Sequence, residues 1–187
     1  MSYKAPLISP NDFGTAKVGV GLVVTNGIIS ATGLPGNSYY GKFFSSTTQT
    51  NPVVNAVNLI SFPNTVLSDG ITTSGTNITF LNAGVYSISY EVQATTTSGG
   101  GGNIDIWISS GGVDLPNSNS ITTLEGGGDS IIINRAFLIS VTANEIVQVK
   151  WSSSKLNMRL IATGPQVGPV RPATNSANFL ATLVKAL

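Results

Sequence analysis

The sequence predicts an all-β fold, either a sandwich or a barrel. Its apolar segments alternate with a period of two, and Gly, Pro and Asn interrupt the chain about every ten residues. Strict alternation is typical of half-buried strands, and evenly spaced turn residues are typical of short strands in sandwiches and barrels. No segment has a convincing helical period, and even residues 178–187 can be read as a strand.

Three segments, residues 85–93, 103–109 and 145–151, carry the alternation most clearly. Each predicts which side chains face the core, and these are Tyr86, Ile88, Tyr90, Val92, Ile104, Ile106, Ile108, Val147, Val149 and Trp151. The run 131–133 is Ile-Ile-Ile and is apolar on both faces. It predicts a strand covered on both sides, with another subunit as a candidate for the second cover.

The chain divides into an N-terminal arm, residues 1–36, and a body, residues 37–187, with eight to ten strands. In the arm, Thr25-Asn26-Gly27 separates two apolar runs, 16–24 and 28–31. Asn-Gly between apolar runs predicts a β-hairpin, and a lone hairpin is marginally stable in water. The arm must therefore dock on the body, on its own copies or on a larger assembly. Its candidate attachment residues are Val18, Val20, Leu22, Val24, Ile28 and Ile29.

Composition excludes several classes of function. Nine basic and eight acidic residues give a net charge of +1. The chain therefore lacks the surplus of basic residues that nucleic-acid binding driven by counterion release requires. The chain has no His and no Cys, which excludes a His base or ligand, a thiolate nucleophile and a disulfide. It has no apolar run of 18 residues, so we expect no insertion into a membrane.

Acid–base chemistry would have to come from eight carboxylates, none of which forms a close pair in the sequence. Cross-strand pairing could bring Glu91 to Asp105, although two solvated strand positions are the simpler expectation. Asp114, Glu125 and Asp129 flank Gly-rich loops and could ligate Ca²⁺, although plain loop residues are again the simpler expectation. We therefore predict no enzymatic activity, no cofactor and no metal site.

The two tryptophans, Trp107 and Trp151, are candidates for an exposed platform that binds a sugar or another protein. The alternative for each is a place in the core or in a subunit interface. The Gly-rich stretches 99–102 and 126–128 are expected to form loops at one end of the body, where binding sites commonly lie.

Residues 13–30 resemble a short motif common in the tail fibres of bacteriophages and in related virion proteins. In that motif a Gly-x-x-Lys-Val-Gly-x-Gly-Leu run precedes a turn and a return strand. Here the run is Gly14-Thr15-Ala16-Lys17-Val18-Gly19-Val20-Gly21-Leu22, and Ile28-Ile29 replaces the commonest residues of the return strand. The resemblance implies a tailed-phage protein that is assembled in the host cytoplasm and lies on the virion surface. It also implies that the arm binds other virion proteins.

The body resembles the trimeric jelly roll shared by the complement first-component globular head and the tumour-necrosis-factor family. The resemblance rests on Phe43-Phe44-Ser45-Ser46, residues 57–64, residues 75–86 with Phe80, Gly84 and Tyr86, and residues 176–180, where the family usually has Gly at Asn178. It implies a jelly-roll β-sandwich that forms a homotrimer. The candidate interface residues are Ile132, Leu138, Leu180, Leu183 and Val184.

These features together favour a non-enzymatic structural protein of a tailed-phage virion, a homotrimeric surface knob anchored by its arm. Two roles stay open, a tail fibre or receptor-binding head and a capsid decoration (cement) protein. Its partners would be copies of itself, other virion proteins, and a glycan or protein on the host surface. The alternative is a carbohydrate-binding or adhesin head on a bacterial or spore surface.

Overall fold

The computed structural model describes residues 22–25, 28–31, 38–97 and 99–187, and every regular element in these ranges is a β-strand. The chain divides into two units, Met1–Asn37 and Ser38–Leu187. In the first unit, β1 (Leu22–Thr25) and β2 (Ile28–Ala31) form an antiparallel hairpin in which Thr25 lies opposite Ile28. The predicted hairpin is therefore present. Residues 16–21 of the predicted first strand, including Val18 and Val20, lie outside the described residues.

The second unit contains the remaining strands. In chain order they are β3 (Tyr40–Ser45), β4 (Gln49–Thr50), β5 (Asn58–Leu59), β6 (Asn64–Asp69), β7 (Ile71–Ser74), β8 (Asn77–Phe80), β9 (Gly84–Thr96), β10 (Gly100–Ser110), β11 (Val113–Asp114), β12 (Ser120–Gly126), β13 (Ser130–Val141), β14 (Glu145–Ser153), β15 (Met158–Leu160), β16 (Gln166–Val167), β17 (Val170–Arg171) and β18 (Ala177–Ala186). Ten of them have four or more residues, at the upper end of the predicted number.

These ten strands form two antiparallel sheets of five. Sheet I has the order β6-β3-β18-β9-β13, with β15 and β4 continuing beside the end of β9. Sheet II has the order β7-β8-β14-β10-β12, with β5 against β14 and β11 against β10. Strands β16 and β17 pair only with each other. The architecture is the predicted β-sandwich, and strands that follow each other in the chain commonly lie in different sheets.

The core lies between the two sheets and contains the side chains that alternation placed there. All ten residues predicted to face inward are buried, among them Tyr86 and Tyr90 on β9. The Tyr86 hydroxyl donates to the carbonyl oxygen of Asn82 at 3.0 Å, and the Tyr90 hydroxyl lies 3.1 Å from Ser120 Oγ on the other sheet. Burial raises the pKa of both phenols, so both remain neutral hydrogen-bonding groups.

The glycines at 100–102 lie inside strand β10, and the prediction that they form a loop is wrong. Here Gly100 pairs with Gly126 at the end of β12. A β-carbon at Gly101 would overlap the carbonyl oxygen of Leu124, so only glycine allows the two backbones to approach this closely. The glycines that do turn are Gly126, Gly127 and Gly128, each of which has a positive φ.

The triple-isoleucine segment lies at the start of β13, an edge strand of sheet I. Its Ile133 faces the core and is buried, whereas Ile131 and Ile132 are exposed. A single chain therefore covers only the inner face of this strand. Cover of the outer face, for which another subunit is the candidate, remains a prediction. No helix within the described residues is long and apolar enough to cross a bilayer.

Candidate functional site

A groove of about 400 Å³ opens on the outer face of sheet II, beside Trp107. Trp107 is at an outward position of β10, because its neighbours Ile106 and Ile108 point into the core. The side chain is partly buried and forms one wall of the groove. The remaining lining residues are Asp105, Asp114, Leu115, Asn117, Asn119 and Ser152.

Trp151, the other candidate platform, lies in the core. Its side chain is 1% exposed, and it shares its face of β14 with the buried residues Val147 and Val149. The prediction of an exposed platform is therefore wrong for Trp151, while Trp107 keeps a partly exposed ring. The parity of the strands already contained this distinction, since Trp107 shares a face with Asp105, whereas Trp151 lies on the face opposite to that of Lys150.

The loop 115–119 forms one side of the groove and is fixed by the buried hydroxyl of Ser118. Ser118 Oγ donates to the Leu115 carbonyl at 2.8 Å and accepts from the Ile108 amide at 3.1 Å. The Leu115 amide in turn donates to the Ile108 carbonyl at 2.9 Å. These bonds tie the loop to β10, so the groove is shaped before any ligand arrives.

The charged residues that line the groove are Asp105 and Asp114, and Lys150 on the neighbouring strand pairs with Asp114. Lys150 Nζ donates to Asp114 Oδ1 at 2.7 Å. The bond from Lys150 is the main cause that holds the pKa of Asp114 below its usual range. Asp105 Oδ1 accepts from Asn119 Nδ2 at 3.1 Å. Two carboxylates and one ammonium leave the groove with one net negative charge.

Sequence reasoning did not identify Leu115, Asn117, Asn119 or Ser152 as members of one site. They come from a loop and from β14, and they meet Trp107 because β14 pairs with β10 and the loop folds back over it. Trp107 lies opposite Lys150 in this register, and Asp105 lies opposite Ser152. Nothing in the local sequence of the loop distinguishes it from an ordinary turn.

A second surface, the outer face of sheet I, exposes large apolar side chains, and we call it the apolar face. Four of the five predicted interface residues are exposed on it: Ile132, Leu138, Leu180 and Val184. Between Leu138 and Leu180 lie the small residues Ser87 and Ser89 of strand β9, which separates β13 from β18. The apolar face therefore combines large exposed leucines with small serine side chains between them.

Leu183 does not belong to the apolar face. It shares the inward side of β18 with Phe179 and Ala181 and packs against the core. Its placement in a subunit interface beside Leu180 and Val184 is wrong, because residues of opposite parity on one strand point to opposite faces. The register of β18 against β9 shifts after Leu183, where the strand carries a bulge.

A short polar chain crosses the apolar face at Asn178. Asn175 Nδ2 donates to Asn178 Oδ1 at 3.0 Å, and Asn178 Nδ2 donates to Glu91 Oε1 at 3.1 Å. Asn178, Glu91 and Lys42 line a hollow of about 270 Å³ beside Leu180. The asparagine that departs from the glycine usual in the jelly-roll family thus satisfies a partly buried carboxylate.

The carboxylates do not assemble a catalytic pair or a metal site in the part of the chain that the structure describes. Glu91 lies on sheet I and Asp105 on sheet II, each facing outward, so they do not pair across strands, and the simpler expectation of two separate strand positions agrees with the structure. The described residues contain no cluster of three groups able to hold a metal ion. The Asp129 carboxylate accepts from the amides of Glu125 and Ser130 at 2.9 and 2.8 Å, which closes the glycine turn.

Glu145 begins β14 and stabilises the turn before it. Its carboxylate accepts from the Thr142 amide at 2.6 Å, from Thr142 Oγ1 at 2.8 Å and from Ser110 Oγ at 2.6 Å. Burial raises the pKa of Glu145, but these hydrogen bonds outweigh it and the net pKa is lowered. A lowered folded-state pKa means that the carboxylate stabilises the fold above roughly pH 4.3, and that this is lost at more acidic pH.

Glu145→Gln is therefore expected to lower the free energy of unfolding by about 1 kcal/mol at pH 7, a value discounted for partial exposure. The difference from wild type should be smaller at roughly pH 2.5 than at pH 7, because the stabilisation by the carboxylate is lost as the pH falls through its lowered pKa. Urea unfolding at both pH values measures it. Glu125→Gln, an exposed carboxylate, is the control and should change stability little. An equal loss of unfolding free energy at both pH values for Glu145→Gln would show that the charge of Glu145 does not contribute to stability.

No protein-family model and no curated protein matches this chain. Among solved structures, murine APRIL at pH 8.5 is similar over 79% of this chain and 100% of its own, at 11% identity and a TM-score of 0.50. Murine APRIL at pH 5.0 is similar over 81% and 100%, at 11% identity and a TM-score of 0.50. The globular domain of zebrafish complement 1qA is similar over 80% and 98%, at 12% identity and a TM-score of 0.49.

The body has the tumour-necrosis-factor-like jelly-roll fold. This confirms the fold that the sequence resemblance implied, and it agrees with two five-stranded antiparallel sheets. An identity of 11% shows a shared fold alone. Function must therefore be argued from the apolar face and the Trp107 groove of this chain.

Proposed function

We propose that the chain is a non-enzymatic structural protein whose jelly-roll body forms a homotrimer through the apolar face of sheet I. The observation that carries the proposal is the exposure of Leu138 at 69%, Ile132 at 59% and Leu180 at 46% on one side of one sheet. Large apolar side chains gathered on one face mark an interaction surface. A second copy of the same chain fits, because the jelly-roll resemblance implies a trimer.

The outer face of sheet II also exposes Ile121 and Ile146, but it carries more charge along its middle strands, which supports this choice of face. Its outward residues on β10 and β14 include Asp105, Gln148 and Lys150, with the ion pair from Lys150 to Asp114. A charged, hydrated surface gains little from burial, whereas exposed leucines gain about 25 cal/mol for each Å² removed from water. Self-association through sheet I is therefore the favoured arrangement.

The N-terminal arm supplies the second half of the proposal, attachment to a tailed-phage virion. Its motif over residues 13–30 resembles phage fibre and virion proteins, and its hairpin from Leu22 to Ala31 pairs in the predicted register. In this role Leu22, Val24, Ile28 and Ile29, together with Val18 and Val20, contact other virion proteins. The trimer is then a knob on the virion surface, as a tail fibre or as a capsid decoration protein.

Native mass tests the trimer, by size-exclusion chromatography with light scattering on the full chain. Three chains of 19.3 kDa give about 58 kDa, and this is the expected value. A mass near 19 kDa at micromolar concentration would overturn the trimer.

Labelling of intact phage particles with an antibody against the body tests the virion role. Label at the tail tip indicates a fibre, label over the shell indicates decoration, and purified particles without label overturn the role.

A further inference from the structure

We propose that the Trp107 groove binds one neutral pyranose unit of a glycan. This inference deepens the proposed function by naming a ligand class for the surface head, and it rests on that function only for its biological setting. The groove itself lies within one chain, on the side of the sandwich away from the apolar face.

The indole of Trp107 supplies the apolar part of such a site. A pyranose ring has a face of C–H groups that packs against a flat aromatic ring, while its hydroxyls need polar partners at the rim. Trp107 is partly exposed at an outward strand position, and packing of its buried part against its neighbours restricts the ring. A ring held in advance loses little side-chain entropy when a ligand packs on it.

The rim supplies the polar part. Asp105, Asn117, Asn119 and Ser152 line the same groove and together offer carboxylate, amide and hydroxyl groups. The Asp105 carboxylate accepts one bond from Asn119, and a carboxylate can accept about four. Adjacent donors and acceptors of this kind match neighbouring sugar hydroxyls, each of which donates and accepts. Concave sites with one aromatic wall and a few fixed polar groups are typical of small-molecule binding.

Charge selects a neutral sugar. Lys150 is already paired with Asp114 at 2.7 Å, which leaves the carboxylate of Asp105 as the net charge of the groove. A uronic acid or a sialic acid would bring a second carboxylate toward Asp105 and be repelled. A neutral hexose has no such penalty and can donate hydroxyl protons to the same carboxylate.

The test uses the full chain labelled with 5-fluorotryptophan, whose two ¹⁹F resonances are assigned with Trp107→Phe. Methyl glycosides of glucose, galactose and mannose are titrated to about 50 mM, a range that saturates a site with a Kd on the order of 1 mM. We expect at least one to move the Trp107 resonance saturably, while Trp151, 1% exposed in the core, reports that the fold is unchanged. Methyl glucuronide, the charged counterpart of methyl glucoside, should bind roughly tenfold more weakly than the neutral sugar that binds best.

Two variants separate the site from the fold. Trp107→Ala should abolish binding as measured by calorimetry, and Asp105→Ala should weaken it at least roughly tenfold while leaving both ¹⁹F resonances sharp. The groove assignment is overturned if no neutral pyranoside moves the Trp107 resonance, if both resonances move together, or if Asp105→Ala binds like wild type. Glucuronide binding as tight as that of the neutral sugars overturns the selection by charge.

The native mass of the same sample separates this inference from the proposed function. A chain near 19 kDa that still shows the saturable Trp107 shift overturns the trimer and supports the groove. A trimer of about 58 kDa without that shift supports the proposed function and overturns the groove.

Discussion

Leu180→Asp is expected to reduce the native mass from about 58 kDa to about 19 kDa, from three chains of 19.3 kDa to one. Leu180 is 46% exposed at the middle of β18, between Ser89 and Lys42 on the neighbouring strands. In a trimer built through the apolar face, the substitution places three carboxylates in a contact that should be dry. The desolvation of each carboxylate costs several kcal/mol, which is enough to prevent association at micromolar concentration.

Ile121→Asp is the matched control for this substitution. Ile121 is 64% exposed on β12 in sheet II, so the same change of charge falls on a more accessible strand position outside the apolar face. The control should keep a mass near 58 kDa. Leu138→Asp, on β13 of sheet I, provides a second disruptive variant should Leu180→Asp prove insoluble. A Leu180→Asp protein of unchanged mass and unchanged circular dichroism would place the interface elsewhere.

Trp151→Ala is expected to lower the free energy of unfolding by about 3–5 kcal/mol, the usual cost of removing a large aromatic side chain from a core. Trp151 is on β14, opposite Ile106 of β10 and Asn58 of β5, and it is one of the largest fully buried side chains. For a chain of 187 residues this loss should lower Tm by roughly 10 °C.

The comparison with Trp107→Ala makes the prediction specific. Trp107 is partly exposed on the outer face of sheet II, so its truncation should cost about 1 kcal/mol or less. Both variants are unfolded in urea at one protein concentration, because self-association makes apparent stability concentration-dependent. Equal losses for the two tryptophans would contradict their assignment to core and groove.

Much of the fold could be predicted from the sequence because the period of two in a strand directly determines which residues face inward. Tyr86 and Tyr90 are buried for this reason, and the same rule separates Trp151 from Trp107. Parity also contained the correct position of Leu183, which shares a face with Phe179 and Ala181. Leu183 was assigned to the interface because it is apolar, without regard to the face of the strand on which it lies.

The pairing of strands could not be predicted in the same way. Glu91 and Asp105 lie on strands that follow each other in the chain, and such strands are often neighbours in one sheet. Here β9 joins sheet I and β10 joins sheet II, which puts the two carboxylates on opposite outer faces. The groove depends in addition on the loop 115–119, whose conformation is fixed by tertiary hydrogen bonds to Ser118 that no local pattern encodes.

The central position of β18 in sheet I has a consequence for how the protein is made. This strand pairs with β3 and β9 at once, and Ser176 just before it hydrogen-bonds to Ser45, 131 residues earlier. A ribosome must therefore synthesise almost the whole body before sheet I can close, and contacts this distant in sequence form slowly. Until then the facing edges of β3 and β9 are unpaired and available to other chains. Folding of this head, and the assembly of its subunits, should therefore follow synthesis of the body rather than accompany it.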